Sequence, residues 1–152
     1  MSLLFATVAD NTGGNLRAPV AAVTVGGSII ADPATDGNCV GVVVSVGYNL
    51  ASDGSCNLIG VGDQPGTDPL LGPLADNGGP TWTQAPASTS PAVDAIPAGT
   101  VSLCDGAVPS DQRGVVRPQA TSCDVGAVEA TGGALVVDDG ADARDATPGD
   151  GT

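Results

Sequence analysis

The chain of 152 residues carries 17 acidic residues against four Arg, with neither Lys nor His, for a formal net charge of −13. That balance excludes a nucleic-acid or anionic-lipid surface, which needs a basic face. The lack of His also removes the commonest acid–base group near neutral pH and the commonest metal ligand.

One Trp, one Tyr and one Phe stand beside 23 Gly and 12 Pro. This leaves little material for an ordinary aromatic-rich core. Yet 41% of residues are hydrophobic, mostly small aliphatics, which a disordered chain lacks. Short strands between turns reconcile the two.

In chain order, LLFATV (3–8) predicts a strand that ends at the turn DNTGG (10–14). VAAVTV (20–25), SIIA (28–31) and VGVVVSV (40–46) predict further strands, with DPATDG (32–37) and GYNL (47–50) as corners. Apolar runs this short, with Gly or Asn at their ends, suit stacked coils better than hairpins. Their poor in/out alternation suits parallel strands buried on both faces. The expected fold is therefore all-β: right-handed parallel β-helix (solenoid) coils over residues 1–60, then an irregular β and loop cap over 61–130. Short strands are expected in the cap at 69–74, 81–84, 92–96 and 125–128. Residues 131–152 read as a flexible acidic linker, from about 138 onward. The first five residues are too short and too uncharged for a signal peptide, so an export signal is expected upstream.

Several segments then follow in a specific order. GYNLASDGSC (47–56) and GD (62–63) precede TDPLLGPLADNGGPT (67–81) and SPAVDA (90–95). DQRGVVRP (111–118) and CDVGAVE (123–129) close the series. In this order, over residues 24–129, they resemble the choice-of-anchor Q domain. That family ends secreted, surface-attached parallel β-helix proteins, ahead of varied anchoring signals. The resemblance implies an extracellular or cell-surface location and a structural role without catalysis. Gln84 stands where the family commonly has His, so no His chemistry is implied there.

Cys39, Cys56, Cys104 and Cys123 contain no CxxC pair, which argues against a zinc ribbon. Two disulfides and an oxidising compartment are expected instead. Four cysteines allow three pairings. The local one, 39 with 56 and 104 with 123, brackets two turn-rich segments and places cysteines where the resembled family has them.

Asp111 and Arg113 have a catalytic reading, as a carboxylate with a guanidinium stabiliser. The structural reading, an ion pair holding loops together, is preferred. Arg117, ahead of Pro118, is assigned the same role, and Asp94 is counted with them. Trp82 is expected as a core plug, because large aromatics favour burial. Asp68, Asp76 and Asp94 carry the one cofactor option, weak calcium binding. They lack a calcium-loop spacing and read first as turn formers.

The sequence thus predicts a non-catalytic structural or adhesive module that links a surface protein to its anchor. The alternatives are a carbohydrate- or calcium-binding module, or the non-catalytic end of a polysaccharide lyase or hydrolase. Expected partners are upstream coils of the parent chain, or another copy, through the apolar and unguarded N-terminal edge. Surface glycans are a further partner class.

Overall fold

The structure is a computed structural model that describes residues 1–130. The linker expected at 131–152 lies outside the described residues. Nine strands are present among the described residues and no helix: β1 (Ser2–Leu4), β2 (Thr7–Ala9), β3 (Leu16–Gly26), β4 (Ile29–Ala31), β5 (Cys39–Ser45), β6 (Leu50–Ala51), β7 (Gln64–Pro65), β8 (Ile96–Pro97) and β9 (Ser122–Cys123).

The strands form three small sheets. Two are parallel, in the orders β1-β3-β5 and β2-β4-β6-β7, and β8 pairs with β9 antiparallel. Leu3 stands beside Val25 and Val8 beside Ile30, and the pairing of β3 with β5 shifts register between Ala18 and Val23. The single strand expected over 3–8 is broken in two, because the chain turns from one sheet to the other at Phe5. Phe5 has φ 51°, Gly27 takes the equivalent corner at 57° and Tyr48 at 56°. Left-handed backbone is natural for Gly and costly for an aromatic. At Gly27 it is also a matter of space: a Cβ there would press on Ile96 Cδ1 at 3.2 Å and on the Phe5 ring at 3.3 Å.

The expectation of β-helix coils is corrected. The chain builds no solenoid and no closed coil, but a small mixed-sheet domain of separate parallel and antiparallel sheets. The parallel layers are shallow, two or three residues wide in β4, β6 and β7. After β7 the chain is rich in Pro, which lacks the N–H that a ladder requires. Of the strands expected in this half, 69–74 and 81–84 contribute only isolated bridges, Leu71 with Pro86 and Ala75 with Thr83. Strand β8 starts where the expected 92–96 strand ends, and 125–128 is not a strand.

Nor does this half simply close the C-terminal end. It lies along the corner line of the first half, reaching its earliest strands. Gly126 N donates to Gly27 O at 2.8 Å, Ala127 N to Thr7 Oγ1 at 3.0 Å, and Gln84 Nε2 to Asp10 Oδ2 at 2.7 Å. Two cores result. One joins Leu16, Val25, Ile30, Ala51 and Leu58 between the parallel sheets. The other joins Phe5, Ile29 and Leu50 to Ile96, Leu103 and Val125 of the second half.

Burial on both faces also fails for β5. Val43 points to the core, whereas Val40, Val42 and Val44, and Val46 just beyond the strand, are exposed. The outer face of β5 is therefore apolar and uncovered by any described residue.

Candidate functional site

The densest arrangement of charge is built by the last described segment, on the turn-rich half. Three backbone features shape it: the Arg117–Pro118 bond is cis, and Asp94 and Gly126 have φ of 52° and 98°. These turns bring Asp111, Arg113, Arg117, Asp124 and Glu129 together.

Asp111 is wholly enclosed, its side chain 0% exposed. Its Oδ1 accepts the N–H groups of Arg113 at 2.7 Å and Val115 at 3.0 Å. Its Oδ2 accepts Glu129 N at 2.8 Å, Arg113 Nε at 2.9 Å and Arg113 Nη2 at 2.8 Å. Burial pushes this carboxyl up, but the bonds from Glu129, Arg113 and Val115 together hold it below the ordinary carboxylate range. Arg113 also donates to the carbonyls of Asn77 and Glu129, tying three segments together.

Arg117 and Glu129 form the second pair, Nη1 to Oε2 at 2.6 Å. Arg117 further donates to Asp124 O at 3.0 Å and Gly126 O at 2.7 Å, and its guanidinium lies 4.2 Å above the Phe5 ring centroid. Its buried Nε has no hydrogen-bond partner. Burial pushes Arg117 below its ordinary value against the pull of Glu129, Asp111 and Asp124. Burial likewise pushes Glu129 up, though Asp124 N and Gln119 N both donate to it at 3.1 Å. Asp124 is raised by burial too, while accepting the N–H groups of Asp94 and Ala130.

Of the residues singled out in the sequence, Asp111, Arg113 and Arg117 therefore meet in one cluster. Asp94 contributes its backbone N–H, and its side chain is exposed. Sequence reasoning missed Glu129 and Asp124 as cluster members. A signal existed for the first: Glu129 is the one Glu among 17 acidic residues.

Trp82 is corrected outright. It is not a core plug but 64% exposed, because the Asp76–Gly79 turn and the Ala75–Thr83 bridge put Thr83 inside and Trp82 out. The disulfides join Cys39 to Cys56 and Cys104 to Cys123. The first ties the start of β5 to the loop after β6, and the second ties a turn to β9.

Asp68 and Asp76 each accept a backbone N–H two residues on, from Leu70 at 2.8 Å and Gly78 at 3.1 Å, as Asx turns do. Among the described residues no group of three His, Cys, Asp or Glu side chains is placed to hold a metal ion. No described helix is long and apolar enough to cross a membrane.

The cluster's chemistry is that of a clamp. Each carboxylate is matched by fixed donors from other segments, and each guanidinium spends its fork on carbonyls and carboxylates of the same chain. No family model, no curated protein and no solved structure matches the chain.

Proposed function

We propose that this chain is a non-catalytic structural and adhesive module of an extracellular, surface-attached protein, of the choice-of-anchor Q kind that its ordered motifs resemble. The observation that carries the reading is the use of the motif charges. Asp111, Arg113, Arg117 and Glu129 bond to one another and to the backbone of several segments, so they serve the architecture. Both oxygens of Asp111 are already occupied by backbone and guanidinium donors of the same chain, with the side chain 0% exposed.

Two disulfides suit an oxidising compartment. In the parent protein, upstream strands add to the open side of β1 and β2, and the acidic tail leads on towards an anchor.

Surface labelling of the cells that make the protein tests this reading, combined with thiol blocking before and after reduction. The expected result is a chain reached by a membrane-impermeant reagent, with its cysteines unreactive until reduced. A chain found only inside the cell with four reactive thiols would overturn it.

A further inference from the structure

Trp82, the one Trp of the chain, forms a wall of a shallow cleft of about 120 Å³. Thr7, Leu74, Gln84, Gln112, Ala127 and Val128 are among its other lining residues. An indole is among the side chains that gain most from being covered, and here it stands 64% exposed.

Two amides are fixed beside it. Gln84 Nε2 donates to Asp10 Oδ2 at 2.7 Å, and Gln112 Nε2 donates to Thr81 Oγ1 at 2.8 Å. Each bond uses the donor end and orients the amide plane. Neither Oε1 accepts a hydrogen bond among the described residues. Two acceptors of known orientation thus flank an exposed aromatic face, over a floor made by Ala127 and Val128. The lining holds no charged side chain, in a chain whose net charge is −13.

We propose that this cleft binds a neutral saccharide. An apolar C–H face of the sugar ring lies on the Trp82 indole, and ring hydroxyls donate to Gln84 Oε1 and Gln112 Oε1. The charge selects against acidic polysaccharides, which the whole molecule repels. The volume takes part of a single ring, so the ligand is a terminal or side-branch residue of a glycan. Affinity for one such residue is weak and becomes useful through many copies on a surface. This names a ligand for the adhesive part of the reading above, but it rests on the Trp82 cleft alone.

The cleft contains its own reporter. Because Trp82 is the sole Trp, tryptophan fluorescence, excited where Tyr48 does not absorb, reads this site and no other. The experiment titrates the protein with methyl glycosides of glucose, galactose, mannose and N-acetylglucosamine, and probes the same sugars on a glycan array. At least one is expected to shift or quench the emission saturably.

On the array, binding of that sugar should weaken about tenfold or more in Trp82→Ala. It should weaken by a smaller factor in Gln84→Ala and Gln112→Ala, and persist in part in Trp82→Phe. Trp82 is exposed enough for these variants to fold, which circular dichroism checks. No emission change with any sugar, or array binding that survives Trp82→Ala, overturns the site. If the protein is surface-exposed and yet gives no response, the saccharide proposal falls while the structural reading stands.

Discussion

Arg117 donates to Glu129 at 2.6 Å with both side chains only 1% exposed. Together they bind the segment that ends at Glu129 to the corner at Phe5, over which the Arg117 guanidinium is stacked. Taking two charges from water is costly, and their attraction offsets that cost only when further hydrogen bonds complete the shell. Here the carbonyls of Asp124 and Gly126 fill the shell of Arg117 except at Nε, and the N–H groups of Asp124 and Gln119 add to that of Glu129.

The neighbouring pair is expected to be less demanding. Arg113→Ala leaves Asp111 with three backbone donors, Glu129 N, Arg113 N and Val115 N. Its expected cost is about 2 kcal/mol, below the 3–5 kcal/mol of a charge left wholly unpaired. Asp111→Ala strands those three N–H groups and Arg113 at once, so it should cost more. Chemical denaturation of the two variants gives the order directly, and equal stability of both with the parent would deny the cluster a structural role.

The pH dependence has opposing parts. Asp111 and Asp53 titrate below the ordinary range in the folded chain, burial being outweighed by their hydrogen bonds. Their contribution is full above the unfolded value near pH 4 and is lost as pH falls through the folded one. Glu129 and Asp124 are raised by burial, so the folded chain takes up their protons first. Asp124, which forms no salt bridge among the described residues, contributes stability that rises as pH falls towards the ordinary range, whereas a protonated Glu129 leaves Arg117 without its carboxylate partner. Relief of self-repulsion at a net charge of −13 acts in the same direction. The melting temperature should therefore hold or rise from pH 7 to about 5 and fall below about 4. A steady fall across pH 7 to 5 would contradict this.

The disulfides close sequence separations of 17 and 19 residues. Each should stabilise the fold by about 3 kcal/mol through the entropy of the unfolded chain. Replacing Cys104 and Cys123 together by Ser should lower the melting point clearly, with Cys39 and Cys56 still joined on peptide mapping. A map with Cys39 joined to Cys104 or Cys123 would refute the pairing.

The open side of β1 sets a further expectation. In a parallel pair alternate residues bond to a given neighbour. Phe5 N and Met1 O bond towards β3, so Ser2 and Leu4 turn their backbone groups the other way, where no described strand lies. Such an edge recruits another chain. The isolated protein should associate as its concentration rises, more so in salt, which screens the acidic surface. Ser2→Pro should reduce association, and a strictly monomeric protein at every concentration and salt level would count against the edge as a docking line.

Part of the first half was legible in the sequence, because aliphatic runs between Gly, Asn and Asp corners place β4, β5 and the second half of β3, though not the start of β3 or β6. The corner at Phe5 was not, nor was the left-handed backbone that Tyr48 takes inside the expected corner at 47–50. Left-handed backbone at an aromatic is imposed by the stacking of one turn on the next, and no local preference announces it. The run from Val40 to Val46 suggested burial on both faces, but composition cannot say whether a second layer exists to cover it. Trp82 shows the same limit: a prior for burial loses to the turn that decides which way one residue points. Asp111 and Arg113 were readable as a pair at close spacing. Their ties to Glu129, at sequence separations of 18 and 16, depend on the fold of the chain between, which spacing does not reveal.

The clamp itself is tested most directly by a double-mutant cycle on Arg117 and Glu129, read as thermal unfolding. Glu129→Gln and Arg117→Met are each expected to lower the melting temperature by about 10 °C or more, since each leaves a buried partner unmatched. The double variant should lose clearly less than the sum of the two. Single variants that melt with the parent, or losses that simply add, would contradict a clamp that holds the second half of the chain to the first.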